Sequence, residues 1–141
     1  MIEKLLILNE GFKTMPYRCT AGKLTIGVGR NLDDRGITPE EARYLLRNDL
    51  ARVRAELDSY LPWWSGLSEV RRAVLIDMAF NLGIHGLLKF RNTLEALRRG
   101  DWQAAAAEMK NSKWYRDVGR RGDRLIQMVL TDSWPKELEE R

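Results

Sequence analysis

The stretch EGFKTMPYRCTAGKLTIGVG, Glu10–Gly29, decides how the chain is read. It follows a short apolar run, Ile2–Asn9, in which Ile2, Leu5, Leu6 and Leu8 fall on one side of a helix that Gly11 stops. Glu10 closes that helix, where the negative end of the helix dipole disfavours an ionised carboxylate. A carboxylate placed against its electrostatic interest is a functional candidate. Just downstream, Tyr17–Cys19 and Leu24–Val28 are β-prone and joined by TAGK, in which Gly22 supplies a positive φ. This hairpin is the only clear β signal in the chain.

Outward from it, the pattern is helical. NLDDRG reads as a polar turn, and TPEE is a strong helix start. Thr38 is a good N-cap, Pro39 suits the first helical position, and Glu41 completes a capping box. That helix runs to about Tyr60, ahead of Pro62. At ~1.5 Å per residue it spans roughly 33 Å, enough to run from one lobe to another. EVRRAVLIDMAFNLG is apolar on most sides and predicts the central helix of a bundle. GLLKFRNTLEALRRG reads as one helix ending at Gly100. DWQAAAAEMK starts on the N-cap Asp101, and its alanines predict close helix packing. RRGDRLIQMVL is the last strong helix, followed by the polar tail SWPKELEER. Most of the tryptophans are expected in the core, because aromatics bury large apolar areas.

Composition narrows the function classes. At 141 residues the chain predicts one domain, with room for two lobes. A net charge of +4 favours an anionic partner without choosing between nucleic acid, membrane surface and acidic wall polymer. A single cysteine excludes an internal disulfide. One histidine and one cysteine cannot build a zinc site, and no carboxylate cluster has calcium-loop spacing, so no metal is expected. There is no P-loop, and no cofactor is expected. His85, in GIHG, reads as a loop histidine and not as a partner for Cys19. MIEKLLILNEGF is too short and too interrupted for a signal peptide or membrane span, which predicts a protein made in the cytoplasm.

Glu10, Cys19 and Thr25 remain, with eight and five residues between them. In E-GFKTMPYR-C-TAGKL-T-IGVG the chain resembles the phage-type lysozymes of the T4 lysozyme kind, the endolysins or muramidases. Their signature is Glu, eight residues, Asp or Cys, five residues, Thr, with a glycine-bearing strand after the threonine. The resemblance continues in order through TPEEARYLLRNDL, FNLG, FRNTLEALRRGDWQAAAAEM, SKWYRDVGRRGDR and SW. It implies an α+β, lysozyme-like fold: a small hairpin lobe over about 12–37, an inter-lobe helix over about 38–60, and a helical lobe over about 1–11 and 61–141. The implied partner is bacterial peptidoglycan, cut at the β-1,4 bond between N-acetylmuramic acid and N-acetylglucosamine by a monomer, without nucleic acid or stable membrane insertion. The family's usual route runs from host cytoplasm to wall through a holin pore. Two departures stand out. The connection from Gly29 to Thr38 is short, where the T4 enzyme has an extra helix, and Arg30 stands where that enzyme has a histidine.

Glycoside cleavage needs an acid for the leaving oxygen and a second group to manage water or the developing cation. Glu10 is the member of the trio able to be that acid. Cys19 reads as a water-orienting group with Thr25, or as a thiolate base or nucleophile if its pKa is lowered. By resemblance, Arg121 aligns with an arginine that pairs with the catalytic glutamate, Asn81 lines the cleft, and Arg30 and Glu108 are rim residues. A lytic transglycosylase acting on the same bond needs only the acid. The basic cluster Lys110, Lys113, Arg116, Arg120, Arg121 and Arg124 alone would suit a nucleic-acid-binding module. A non-catalytic wall-binding or phage structural protein would keep the fold without the acid.

Overall fold

The computed structural model describes residues 1–139. Two compact units are present, Met1–Leu46 and a larger one beginning at Arg47. The boundary falls inside a continuous helix.

The first unit starts with α1 (Ile2–Glu10), closed by Gly11 at φ 86°. A three-stranded antiparallel sheet follows in the order β1 (Lys13–Arg18), β2 (Leu24–Gly27) and β3 (Arg30–Asn31). Tyr17 pairs with Thr25 and Arg18 with Leu24, while Thr25 and Ile26 pair with Asn31 and Arg30 on the other side. Gly22 takes the expected positive φ, and its N–H donates to the Cys19 carbonyl at 2.8 Å. Strand β1 ends one residue early, so Cys19 lies in the turn rather than on the strand.

NLDDRG corrects the reading of a bare polar turn. Its first residue completes β3, and the next four form the one-turn helix α2 (Leu32–Arg35). The Asn31 side chain accepts from the Asp34 N–H at 3.0 Å, capping the turn. Asp33 accepts from the Leu24 N–H at 2.7 Å, tying α2 to the hairpin. The cap is local, within three residues, whereas the tie to Leu24 needs the folded hairpin.

Helix α3 (Pro39–Tyr60) opens with the predicted reciprocal box: Thr38 N–H donates to Glu41 at 2.9 Å, and Glu41 N–H donates to the Thr38 hydroxyl at 3.1 Å. Its later turns bury Val53 and Leu57. A 3-10 turn over Pro62–Gly66 leads to α4 (Glu69–Leu82), which buries Val70, Val74, Leu75, Met78 and Ala79, as its nearly all-round apolarity predicts. The segment read as one helix after Gly86 is two, α5 (Ile84–Leu88) and α6 (Arg91–Arg98). Phe90 leaves the helical region at ψ 56° and sets its ring edge-on to Trp114, 6.0 Å between centroids. That packing separates the two helices while keeping Leu87, Leu94 and Leu97 buried.

Helix α7 (Trp102–Lys110) is capped by Asp101 and buries Ala105, Ala106 and Met109. Small side chains there let α7 pack closely against α6 and α9 (Arg120–Thr131). Helix α8 (Lys113–Val118) precedes α9, with Gly119 between them at φ 58°. The tail contains a short helix, α10 (Lys136–Glu139), whose Glu137 accepts from Arg124 at 2.6 Å. Trp64 and Trp114 are core residues, Trp63 and Trp102 pack against the core, and Trp134 is exposed. Each large apolar side chain buried here contributes about 1.5–3 kcal/mol.

Arg71 staples this unit. Its Nε donates to the Val129 carbonyl at 2.9 Å, its guanidinium lies 3.8 Å over the Trp102 ring, and Asp132 is 3.7 Å away.

Candidate active site

Thr25 is the one buried residue of the first unit, so its hydroxyl needs a partner. It donates to the Lys23 carbonyl at 2.8 Å, two residues back along the same arm of the hairpin. Cys19 lies opposite, half-buried and free, its own N–H donating to the same carbonyl at 2.9 Å. Its thiol pKa is held below the ordinary value by the backbone N–H groups of Lys23 and Ala21, and to a smaller extent by the Thr25 hydroxyl; partial desolvation opposes them. Turn amides that point at a sulfur stabilise its anion. The spacing of Cys19 and Thr25 thus becomes a local pair: one residue in the turn, the other on the strand that leaves it.

Glu10 arrives from the opposite end of β2. As the last residue of α1 it lies against Gly29, in the turn from β2 to β3. A Cβ added at Gly29 would stand 2.7 Å from Glu10 Oε2. The expected acid and the expected hairpin therefore belong to one unit.

Arg30 holds that turn. One guanidinium nitrogen donates to the Gly36 carbonyl at 3.2 Å and to Glu41 at 2.7 Å. The same contact, with the capping-box N–H of Thr38, pulls Glu41 down to a pKa of about 2. In this unit Arg30 is a structural clamp, a role its place beside the glycine strand does not reveal.

The other candidates lie in the second unit. Arg121 donates through Nε to Asp77 at 2.7 Å and through its terminal nitrogen to the Asp77 carbonyl at 3.3 Å. Asp77 was not foreseen as its partner; the two are 44 positions apart. Asn81 is exposed and accepts from the Trp114 indole N–H at 3.3 Å through its amide oxygen. Glu108 is exposed on the wall of a shallow groove with Phe90, Asn92 and Asn111. His85 lies in α5 rather than in a loop, edge-on to Tyr60 at 5.4 Å. Within the basic cluster, Arg124 is bonded to Glu137 and Lys113 faces Asp117 at 4.0 Å. Among the described residues, no helix is long and apolar enough to cross a membrane.

A mostly helical chain with one small antiparallel sheet belongs to the α+β, lysozyme-like class, and its first unit holds Glu10 at the end of α1, Cys19 in the hairpin turn and Thr25 on β2. Residues 8–128 match the model of the phage lysozyme family, and the chain is a member of that family. It is 34% identical to an endolysin of Acyrthosiphon pisum secondary endosymbiont phage 1, over 79% of each chain. It is 28% identical to the probable T4-type lysozyme 1 of Dictyostelium discoideum, over 92% of this chain and 94% of that one. The pre-baseplate central spike protein Gp5 of Enterobacteria phage T4 is also 28% identical over 91% of this chain, which spans only 27% of the spike protein.

Proposed function

We propose that the protein is a peptidoglycan-lytic endolysin that hydrolyses the β-1,4 bond between N-acetylmuramic acid and N-acetylglucosamine. What supports this reading is the phage lysozyme family match over residues 8–128, with Glu10 against Gly29 and the free Cys19 beside Thr25 in the same unit. Protonated Glu10 gives its proton to the glycosidic oxygen as the C1–O bond breaks. Water adds its oxygen to C1, and its departing proton passes to the Cys19 thiolate as base or to solvent. Alternatively the thiolate itself forms a bond to C1, which water then replaces. Glu10 regains a proton from the medium, so bonds and protons balance. Thr25 orients the water through its lone pairs, and its one proton serves the Lys23 carbonyl or turns to the sulfur when that is ionised.

Asn81 is assigned to the N-acetyl groups of the substrate, because an amide donor suits an acetamido carbonyl. Arg121 and Glu108 are assigned to the substrate on the family resemblance, and Arg30 serves by clamping the turn that carries Gly29. The protein acts as a monomer and reaches the wall by release through a holin.

The experiment is digestion of purified peptidoglycan followed by mass analysis of the fragments. New reducing ends on N-acetylmuramic acid support the proposal. Anhydro-muramyl ends would assign a transglycosylase, and an undigested sacculus would remove lytic activity altogether.

A further inference from the structure

Gly29 carries no side chain and makes no hydrogen bond to Glu10, yet the geometry around it is specific. The three atoms nearest to a Cβ built on Gly29 all belong to the Glu10 side chain: Oε2 at 2.7 Å, Cδ at 3.1 Å and Cγ at 3.3 Å. Real Cβ atoms do not approach that closely, so something must move. The turn is poorly able to. Ile26 pairs with Arg30 on its two sides, and Arg30 is tied to Gly36 and Glu41. The Glu10 carboxyl, at the far end of a flexible side chain, is the part that yields.

We propose that Gly29 is a positioning residue: its bare Cα is the seat of the Glu10 carboxyl and sets where the acid stands relative to the bond it protonates. This rests on the reading of Glu10 as the acid. A methyl group at Gly29 drives Oε2 from 2.7 Å to at least the 3.4 Å of ordinary contact, or rotates it out of the seat. Proton donation depends on near-attack geometry, so a small displacement of the donor lowers the rate of the chemical step more than substrate affinity.

The molecule supplies its own control. Gly27 has a similar φ, 70° against 66° for Gly29, but a Cβ there meets nothing within 4 Å. Gly27→Ala carries the backbone strain of a left-handed alanine without touching Glu10. Gly29→Ala also places an alanine at a left-handed φ and adds the clash.

The test compares both variants for kcat and KM on peptidoglycan, and for the Glu10 Cδ chemical shift in 13C-labelled protein. Gly29→Ala is expected to lose about 10²-fold in kcat, with KM within about threefold of wild type and the Cδ resonance displaced. Gly27→Ala is expected to stay within about threefold in kcat, with the resonance in place. Equal losses in the two variants, or an unmoved Glu10 resonance in Gly29→Ala, would overturn the proposal. If Gly29→Ala does not fold, a nuclear Overhauser effect between the Gly29 Hα and Glu10 Hγ protons in the wild type decides: its presence supports the seat, and its absence overturns it. Activity surviving in Glu10→Gln would instead defeat the reading of Glu10 as acid, while the resonance and Overhauser data would still report on the seat.

Discussion

Replacing Cys19 with Asp or Ala separates a working group in the hairpin turn from a packing residue. The thiol stands among donors, the N–H groups of Lys23 and Ala21 and the Thr25 hydroxyl, and these lower its pKa. A carboxylate placed there inherits the same donors, so Cys19→Asp is expected to fold and remain lytic. Near pH 6 an unperturbed thiol is only about 0.3% ionised, whereas an aspartate is about 99% ionised. If the anion is the active form, the gain from Asp has a ceiling of about 300-fold against an unperturbed thiol, and the lowered pKa of Cys19 makes it smaller. Because the thiolate fraction rises with pH, the ratio of Asp to Cys rates should shrink from acid to neutral pH. If the neutral thiol orients water, the two rates should instead be nearly equal and their ratio flat. Cys19→Ala should fall well below both. The assay is the initial rate of release of reducing ends from peptidoglycan across that pH range, with circular dichroism to confirm folding. Alkylation of this single cysteine gives the same answer without mutation: a folded, inactive product. If Ala outperforms Asp and the fully alkylated protein keeps its activity, Cys19 has no part in the chemistry.

Thr25→Val keeps the shape but removes the hydroxyl. It is expected to cost only about 1 kcal/mol of stability, to raise the Cys19 pKa and so slow alkylation at a fixed pH, and to lower activity by at least about tenfold. An unchanged alkylation rate would mean that Thr25 does not support the sulfur. Arg71→Ala removes a charged hydrogen bond, an aromatic stack and a weak ion pair, together about 2–3 kcal/mol, which lowers Tm by roughly 7–10 °C. Arg71→Lys should recover little, because a single ammonium cannot replace the stacked fork; full recovery in a thermal melt would refute the assignment. Glu41 is held at about 2, below its usual value, so its pair with Arg30 contributes stability above about pH 4.5 that disappears as pH falls through about 2. Glu41→Gln should flatten the acid limb of stability in that window, and an identical limb in both proteins would contradict it.

Features carried by neighbouring residues were legible in the sequence. Thr38 and Glu41 form their capping box within one turn, and Asp101 caps α7 for the same local reason. Cys19 and Thr25 are grouped by the family signature they resemble, whereas the register sets Thr25 across from Tyr17. The Glu10–Gly29 contact was not legible, since it depends on how α1 meets the sheet and a glycine offers no side chain to interpret. The partners of Arg30 and Arg121 are likewise set by tertiary approach, not by spacing. In the helical unit, Phe90 breaks a segment whose periodicity alone reads as continuous, because its ring is drawn to Trp114.

The most direct test of the account is the activity of Glu10→Gln. The amide is nearly isosteric and can occupy the same seat against Gly29, but it cannot give a proton to the glycosidic oxygen. The account predicts a protein with the wild-type circular dichroism spectrum and melting behaviour that binds peptidoglycan and releases reducing ends at least about 10³-fold more slowly. A folded Glu10→Gln variant retaining more than about a tenth of the wild-type kcat would contradict it, because the acid would then have to be another group.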